Sequence, residues 1–181
     1  MNKSQIRKKI LLIKKKRFDK NLKINLDKFI FFLKINNFNN KNVGGYYPSN
    51  YEIDDLNILE LLEKKNFKVS MPVIKKENQM NFYKWSRRDP LKINKFGIPE
   101  PVSSKIIYPD ILLVPLVAYD NNLNRLGYGG GFYDRYISKI LKFKKIFTIG
   151  FAFSFQEIKK IPINQFDQKL DFILTNNGTI K

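Results

Sequence analysis

The apolar residues of this chain occur either in continuous runs, which predict buried strands, or at helical spacing, and residues 110–135 begin with the first pattern and lead into the second. Residues 111–114 are a continuous apolar run that predicts a buried strand, and Pro115 is expected to end its regular pairing because proline cannot donate to a ladder. An asparagine-rich turn and the glycines of residues 127–131 come next. Apolar residues at helical spacing then follow, namely Tyr133, Tyr136, Ile137, Ile140 and Leu141. The stretch predicts a strand, a glycine-rich loop and a helix.

Three further helices are predicted from apolar spacing earlier in the chain. Ser4 is expected to cap the first helix, and Glu52 is expected to open the third. The asparagine-rich residues 36–42 are expected to end the second. The apolar positions are Ile6, Ile10 and Ile13 in the first helix, Leu22, Leu26, Phe29, Ile30 and Leu33 in the second, and Ile53, Leu56, Leu59 and Leu62 in the third.

Further strands are predicted at residues 43–49, 68–74, 80–85, 145–153 and 172–175, and prolines are expected to end the first two. Strands that alternate with helices predict an α/β layered domain with a largely parallel sheet. Sheets of this kind bind ligands at the carboxyl ends of their strands. We expect residues 1–181 to form one domain.

The composition narrows the chemistry. The chain is 43% hydrophobic and 14% aromatic, which is typical of a globular protein. Without cysteine or histidine it has no disulfide framework and no histidine base, and a typical zinc site is not expected. Lysines 14–16 end the short apolar run of residues 10–13, so a secretory apolar core is not expected. No apolar run approaches the roughly 18–20 residues of a membrane span. A cytoplasmic protein is the plain interpretation.

The formal net charge of +18 raises the question of a nucleic-acid partner. The charge is spread along the chain and is nearly all lysine, and asparagine, isoleucine and phenylalanine are also abundant. We interpret this as a compositional bias of the source genome. A basic RNA-binding module that uses lysines and aromatic rings stays open as an alternative, although no recognition motif supports it.

The glycine-rich loop is a candidate phosphate site, because backbone N–H groups and a helix amino terminus would converge there. Its spacing fits neither the dinucleotide fingerprint nor a Walker loop, since Phe132 and Asp134 stand where glycine is required. Arg125 could clamp phosphate oxygens, and Asp134 could hold a hard cation such as Mg²⁺. The alternative is a simple glycine turn in which Asp134 is a favourable charge at a helix start.

Residues 114–137, VPLVAYDNNLNRLGYGGGFYDRYI, resemble the signature of the 5-formyltetrahydrofolate cyclo-ligase family. Residues 95–101, KFGIPEP, resemble a loop of the same family, and so does the connection over residues 156–162. The resemblance implies a three-layer, Rossmann-like α/β fold, with a mostly parallel sheet and helices on both faces. It also implies ATP as co-substrate, Mg²⁺, and a substrate that is a folate.

The resemblance assigns roles residue by residue. The implied ATP-binding residues are Lys3, Arg7, Arg125, Leu126, Gly127, Tyr128, Gly129, Gly130, Gly131, Phe132 and Tyr133. The implied folate-binding residues are Tyr47, Glu52, Trp85 and Tyr133. Arg125 and Asp134 are the implied catalytic residues, and Asp134 and Asp167 the implied metal ligands. Many relatives have histidine or asparagine before this second aspartate, where this chain has Phe166.

Each assignment has a simpler alternative. Lys3 and Arg7 would also suit a solvated basic helix, and Glu52 a first helical turn. Trp85 is more often a core residue than a stacking platform. Asp167 could form an Asx turn before a strand.

The implied reaction is ATP-driven cyclisation of 5-formyltetrahydrofolate to 5,10-methenyltetrahydrofolate. It suits a chain without histidine or cysteine, because phosphoryl transfer depends mainly on positioning and charge neutralisation. The expected partners are small molecules, with no specific nucleic acid and no membrane, and the protein is expected to be a monomer. A homologue of the same fold that binds folate or nucleotide without catalysis is the remaining alternative.

Overall fold

A computed structural model describes residues 1–19 and 21–180. The helices are α1 (Lys3–Arg17), α2 (Leu26–Ile35), α3 (Leu56–Lys64) and α4 (Phe132–Ile140). The strands are β1 (Asn42–Gly44), β2 (Lys68–Ile74), β3 (Met80–Lys84), β4 (Leu91–Ile93), β5 (Pro99–Pro101), β6 (Ile106–Ile107), β7 (Ile111–Pro115), β8 (Ala118–Tyr119), β9 (Arg125–Leu126), β10 (Phe147–Ala152), β11 (Phe172–Thr175) and β12 (Gly178–Ile180). Within these residues no helix has the length and apolar character needed to cross a membrane.

The main sheet has eight strands in the order β12-β11-β10-β7-β1-β2-β3-β6. The strands from β11 to β2 pair in parallel, and the strands outside them pair antiparallel. After β1 the chain moves to β2 on one side, and it then returns to place β7 on the other side of β1. The strand order therefore reverses between β1 and β7, where open α/β sheets form a ligand-binding crevice.

Helices cover both faces of this sheet. On one face, Phe29 and Leu33 of α2 and Leu59 of α3 are almost fully buried against the strands. On the other face, Ile137 and Ile140 of α4 pack on β7 and the neighbouring strands. The structure confirms the prediction of a three-layer α/β fold with a mostly parallel sheet. The apolar residues of α1 instead pack against a small antiparallel pair, β8 and β9.

Three of the predicted helix starts are wrong. The cap of α1 is Asn2, whose side chain accepts from the Gln5 N–H while the Gln5 side chain accepts from the Asn2 N–H, so Ser4 lies inside the helix. Helix α3 begins after Asp55 and not at Glu52, which lies in the preceding loop. Similarly, Leu22 precedes α2. Apolar spacing alone did not locate these boundaries, because buried loop residues extend the helical pattern.

The strands also differ from the prediction in four places. Strand β1 ends at Gly44, so Pro48 is not the residue that ends it. Pro72 lies within β2 and does not end it, because β1 pairs with β2 only as far as Ser70 and leaves an open side where proline is tolerated. The turn after β7 is a hairpin of β8 and β9, so the strand that enters the glycine-rich loop is β9. The loop over residues 95–101 is likewise part of a hairpin, formed by β4 and β5.

The close packing around β1 gives the first testable prediction. A Cβ atom on Gly44 would lie 2.8 Å from Pro109 Cγ and 2.9 Å from the Phe82 ring, and both rings are rigid. Gly44→Ala is therefore expected to lower the free energy of unfolding by about 1–3 kcal/mol in a urea titration. Adding Phe82→Leu should restore part of the loss. An unchanged urea midpoint for Gly44→Ala would contradict this packing.

Candidate active site

A cleft of about 1400 Å³ opens at the reversal of strand order. Tyr46 and Tyr47, which follow β1, line it together with Pro115 at the end of β7. The glycine-rich loop, the β4–β5 hairpin and residues 164–168 form the remaining walls. The cleft thus brings together segments from both sides of the reversal, as expected for the carboxyl ends of parallel strands.

The glycine-rich loop forms one wall and leads into α4. Gly131 occupies the cap position of α4 with φ 65°, and Gly129 has φ 109°, conformations that favour glycine. The Arg7 guanidinium lies beside this loop, because its Nε donates to the Gly127 carbonyl at 2.8 Å. A Cβ on Gly129 would stand 3.5 Å from Arg7 Cζ. A helix amino terminus and a held arginine together suit an anionic ligand.

Arg125 and Asp134 form an ion pair at the floor of the cleft. Arg125 Nη2 lies 2.7 Å from Asp134 Oδ1, and the arginine side chain is only 4% exposed. Burial lowers the pKa of Arg125, and the Asp134 charge opposes that shift. The same Asp134 oxygen accepts from the Gln168 N–H at 3.0 Å. Asp134 therefore connects α4 to the segment that precedes β11.

Lys3 and Asp167 form a second ion pair across the cleft rim. The Asp167 carboxylate also accepts from the Asn164 N–H at 2.6 Å, which fixes the turn that carries it. In the part of the chain that the structure describes, Asp134 Oδ2 and Asp167 Oδ1 accept no hydrogen bond. Each aspartate therefore keeps one oxygen open toward a ligand.

Glu52 is the buried carboxylate on the other side of the cleft. It is 9% exposed, and its Oε2 accepts from the Ser49 N–H at 2.7 Å. Burial raises the pKa of Glu52, while the Ser49 hydrogen bond and the Lys14 charge oppose that rise. A carboxylate held in this way can accept paired N–H groups from a flat heterocycle.

Lys14 approaches this region from the last turns of α1. It is 1% exposed, and its Nζ donates to the Tyr128 hydroxyl at 3.0 Å. Burial lowers the pKa of Lys14 to about 8, and the charge of Glu52 acts in the opposite direction. Burial and the Glu52 charge both raise the pKa of Tyr128. Lys14 was not predicted as a functional residue, because it stands in a run of lysines whose other members are exposed.

All but one of the residues implied by the resemblance line this cleft. They are Lys3, Arg7, Tyr47, Glu52, Arg125, Leu126, Gly127, Tyr128, Gly129, Gly130, Gly131, Phe132, Tyr133, Asp134 and Asp167. Trp85 is not among the residues that line this cleft, and its role in folate binding stays a prediction. It is 2% exposed and packs in the core beneath α2 and α3, since the residue that follows β3 points into that layer.

Phe96 is the aromatic residue that the sequence analysis overlooked. It lies at the tip of the β4–β5 hairpin, is 51% exposed, and lines the cleft. Its ring meets the Phe132 ring edge to face, with centroids 5.9 Å apart. The buried Glu100 of β5 anchors this hairpin, because its carboxylate accepts from the Ile74 N–H at 3.2 Å and the Asn94 side chain at 3.3 Å.

The fold and the cleft define an α/β protein in which a glycine-rich loop at a helix amino terminus and a buried carboxylate meet at the switch of strand order. The sequence model of the 5-formyltetrahydrofolate cyclo-ligase family matches residues 1–176. The 5-formyltetrahydrofolate cyclo-ligase of Haemophilus influenzae is 34% identical over 141 residues, which cover 74% of this chain and 75% of that protein. The Escherichia coli K12 protein of the same name is 31% identical over 131 residues, 68% of this chain and 71% of that one.

A solved structure agrees with these relatives. The NMR structure of Aquifex aeolicus 5,10-methenyltetrahydrofolate synthetase has a TM-score of 0.77 and 29% identity, and the match covers 100% of this chain and 93% of that one. The chain belongs to the 5-formyltetrahydrofolate cyclo-ligase family. The resemblance predicted from its glycine-rich signature is confirmed.

The buried Lys14 makes stability depend on pH. Its pKa is about 8 in the folded chain against an ordinary value of 10.5, so between these values only the unfolded chain holds the proton. The free energy of unfolding therefore rises with pH across this window. Below pH 8, Lys14 is protonated in both the folded and the unfolded chain, and the buried charge destabilises the folded chain most. Relative to that of Lys14→Met, the free energy of unfolding of the wild type should increase by about 3 kcal/mol between pH 8 and 10.5.

Urea titrations of both proteins at several pH values measure this gain. Lys15→Met removes the same charge from the exposed neighbour in α1 and serves as the control. The difference between that control and the wild type should stay constant with pH. A Lys14→Met difference that is equally flat would contradict the lowered pKa.

Proposed function

We propose that this chain catalyses the ATP- and Mg²⁺-dependent cyclisation of 5-formyltetrahydrofolate to 5,10-methenyltetrahydrofolate, with release of ADP and phosphate. One observation carries the proposal: a single cleft holds an anion-binding glycine loop on one side and the buried carboxylate of Glu52 on the other. A reaction in which ATP phosphorylates a folate needs both a site for the phosphates and a site for the pterin. The names of the relatives agree with this reaction.

The phosphates of ATP would bind along the glycine-rich loop. Arg7 and Arg125 supply cations at fixed places, because each is already held by a protein oxygen. Lys3 stands at the rim, paired with Asp167. The N–H groups before α4 would complete the cradle at the positive end of the helix dipole. The γ-phosphate would then lie near Arg125 at the floor.

The donor set fits Mg²⁺. This ion usually keeps several waters and binds through one or two carboxylates together with substrate phosphates. Asp134 and Asp167 both line the cleft, and each has a carboxylate oxygen that accepts no hydrogen bond from the described residues. Among those residues, no group of three or more side chains that could ligate a metal occurs. These two aspartates would hold the ion, and bound Mg²⁺ would neutralise phosphate charge during transfer.

The folate would occupy the opposite side. Glu52 would accept the N–H groups of the pterin, and Tyr47 and Tyr133 would line the same subsite. Phe96 also presents an aromatic ring to the cleft, in addition to the folate role that the resemblance gives to Trp85. A half-exposed ring on a hairpin can stack on a flat heterocycle.

The chemistry proceeds by two displacements. The formyl oxygen attacks the γ-phosphorus and ADP leaves, which gives an N5-iminium phosphate. N10 then attacks the activated carbon, loses its proton, and inorganic phosphate departs to leave the methenyl bridge. Arg125 would neutralise the charge that develops on the transferring phosphoryl group. The remaining task of the protein is to align the two substrates in line.

As part of the same proposal, residues 1–181 act as one cyclo-ligase domain, and the enzyme is a cytoplasmic monomer that acts on small molecules. The reaction itself requires neither a nucleic acid nor a membrane partner.

The direct test is the absorbance of 5,10-methenyltetrahydrofolate formed from 5-formyltetrahydrofolate. We expect a rise that needs ATP and stops when EDTA removes Mg²⁺. Excess Mg²⁺ added after EDTA should restore it. Folded protein that binds folate and ATP without forming product would contradict catalysis and would favour the binding homologue.

Asp134→Asn tests the proposed metal ligand. Asparagine keeps the shape of the side chain and can still accept from Arg125, so the protein should fold, but it loses the charge that would hold Mg²⁺. We expect kcat to fall by roughly 100-fold or more, the size of effect seen when one stabilising group of a transition state is removed. Asp27→Asn, on the exposed surface of α2, should leave kcat unchanged. Near-normal turnover by Asp134→Asn would remove this residue from the metal site.

A further inference from the structure

A charged residue stands on the apolar stripe of α1. The buried residues of this helix are Ile6, Ile10 and Lys14, which follow one another at intervals of four. The first two pack on the β8–β9 pair. The third is a lysine, although the same position in an amphipathic helix calls for an apolar side chain. Its neighbours Lys15 and Lys16 are exposed, so α1 has no general need to bury lysine.

The position of Lys14 is unfavourable for stability. A buried lysine must either lose its proton or find compensating partners. Lys14 has one direct partner, the Tyr128 hydroxyl at 3.0 Å, and its Nζ lies 5.4 Å from the centre of the same ring. The opposite charge that raises the pKa of Lys14 against the effect of burial is that of Glu52, which is itself buried. A methionine would fill a similar space without the cost of burying a charge. A reason for the lysine at this position should therefore be sought among the residues around it.

Those neighbours belong to the two halves of the cleft. Tyr128 is part of the glycine-rich loop, and Glu52 follows β1. Because the Tyr128 hydroxyl accepts from Lys14, its own proton remains available to Glu52. The charge of Glu52 also raises the pKa values of three other buried groups, Tyr46, Asp55 and Tyr133. Of the groups around Glu52 in this cluster, Lys14 is the cation that favours its ionised form.

We propose that Lys14 is a positioning residue that keeps Glu52 ionised and holds Tyr128 in place, and so couples the folate side of the cleft to the glycine-rich loop. This inference rests on the proposed function, because it takes Glu52 as the carboxylate that receives the folate. Lys14 itself is not among the residues that line the cleft, so we expect it to contact neither substrate. It acts on the folate through Glu52 and on the loop through Tyr128.

The first test needs no ligand. Lysine carries its charge on Nζ, so the ¹³Cε resonance of Lys14 follows its protonation, and Lys14→Met identifies that resonance by its loss. Glu52→Gln removes the charge that raises the pKa of Lys14, and the Lys14 midpoint should therefore move to lower pH. A Lys14 midpoint that Glu52→Gln leaves in place would overturn the proposed coupling.

The second test measures the binding of 5-formyltetrahydrofolate by calorimetry without ATP. Lys14→Met should weaken binding severalfold at neutral and mildly acidic pH, where Lys14 is protonated in the wild type and its charge favours the ionised form of Glu52. The loss should shrink toward pH 9, where Lys14 has lost most of its charge in the wild type. Lys15→Met is the matched control and should bind as the wild type does.

The pH dependence of folate affinity distinguishes a positioning role of Lys14 from a purely structural one. A loss of affinity that is equal at every pH would mean that Lys14 only supports the fold, and it would overturn the inference. Tyr128→Phe should weaken folate binding less than Lys14→Met does. The Tyr128→Phe change should also weaken binding less in the Lys14→Met background than in the wild type, because one hydrogen bond links the two side chains. Wild-type protein that shows the Lys14 titration but binds no folate would contradict the proposed function and still support the charge coupling.

Discussion

The reversal of strand order between β1 and β7 is the constraint on which the site depends. Right-handed crossovers from these two strands must run in opposite directions, so α3 covers one face of the sheet and α4 the other. The segments that leave the two strands therefore separate and enclose a cleft. One segment carries Glu52, and the other carries the glycine-rich loop. Residues more than seventy positions apart in the sequence are thereby placed around one ligand site.

The cations of the cleft are held before any ligand arrives. Arg7 donates to the Gly127 carbonyl, Arg125 is paired with Asp134, and Lys3 is paired with Asp167. Fixed charges of this kind need little reorganisation when a phosphoryl group moves. The aspartates that hold them are the same ones proposed to bind Mg²⁺, so metal binding and the placement of the cations are coupled. A chain without histidine or cysteine can perform this chemistry because it requires charge and alignment.

Local patterns in the sequence were enough to predict the sheet but not all of the site. The predicted bounds of β2 and β11 agree with the structure, because each strand is a run of apolar and β-branched residues with clear ends. Trp85 and Phe96 show where local patterns fail. Both are aromatic residues that follow strands, and only the tertiary arrangement buries the first and brings the second to the cleft. No spacing in the sequence distinguishes these two positions.

Lys14 shows a different limit of prediction from sequence, because its residue type and its position in the fold disagree. By charge it resembles the lysines beside it, and by position it belongs with Ile6 and Ile10 on the buried stripe of α1. A chain selected only for stability would place an apolar residue there, since a buried charge lowers the free energy of unfolding. Such conflicts are expected at functional sites, where stability is exchanged for a defined charge. The proximity of Lys14 to Tyr128 and Glu52 therefore indicates a role in the cleft, where the ionised form of a buried carboxylate has to be maintained.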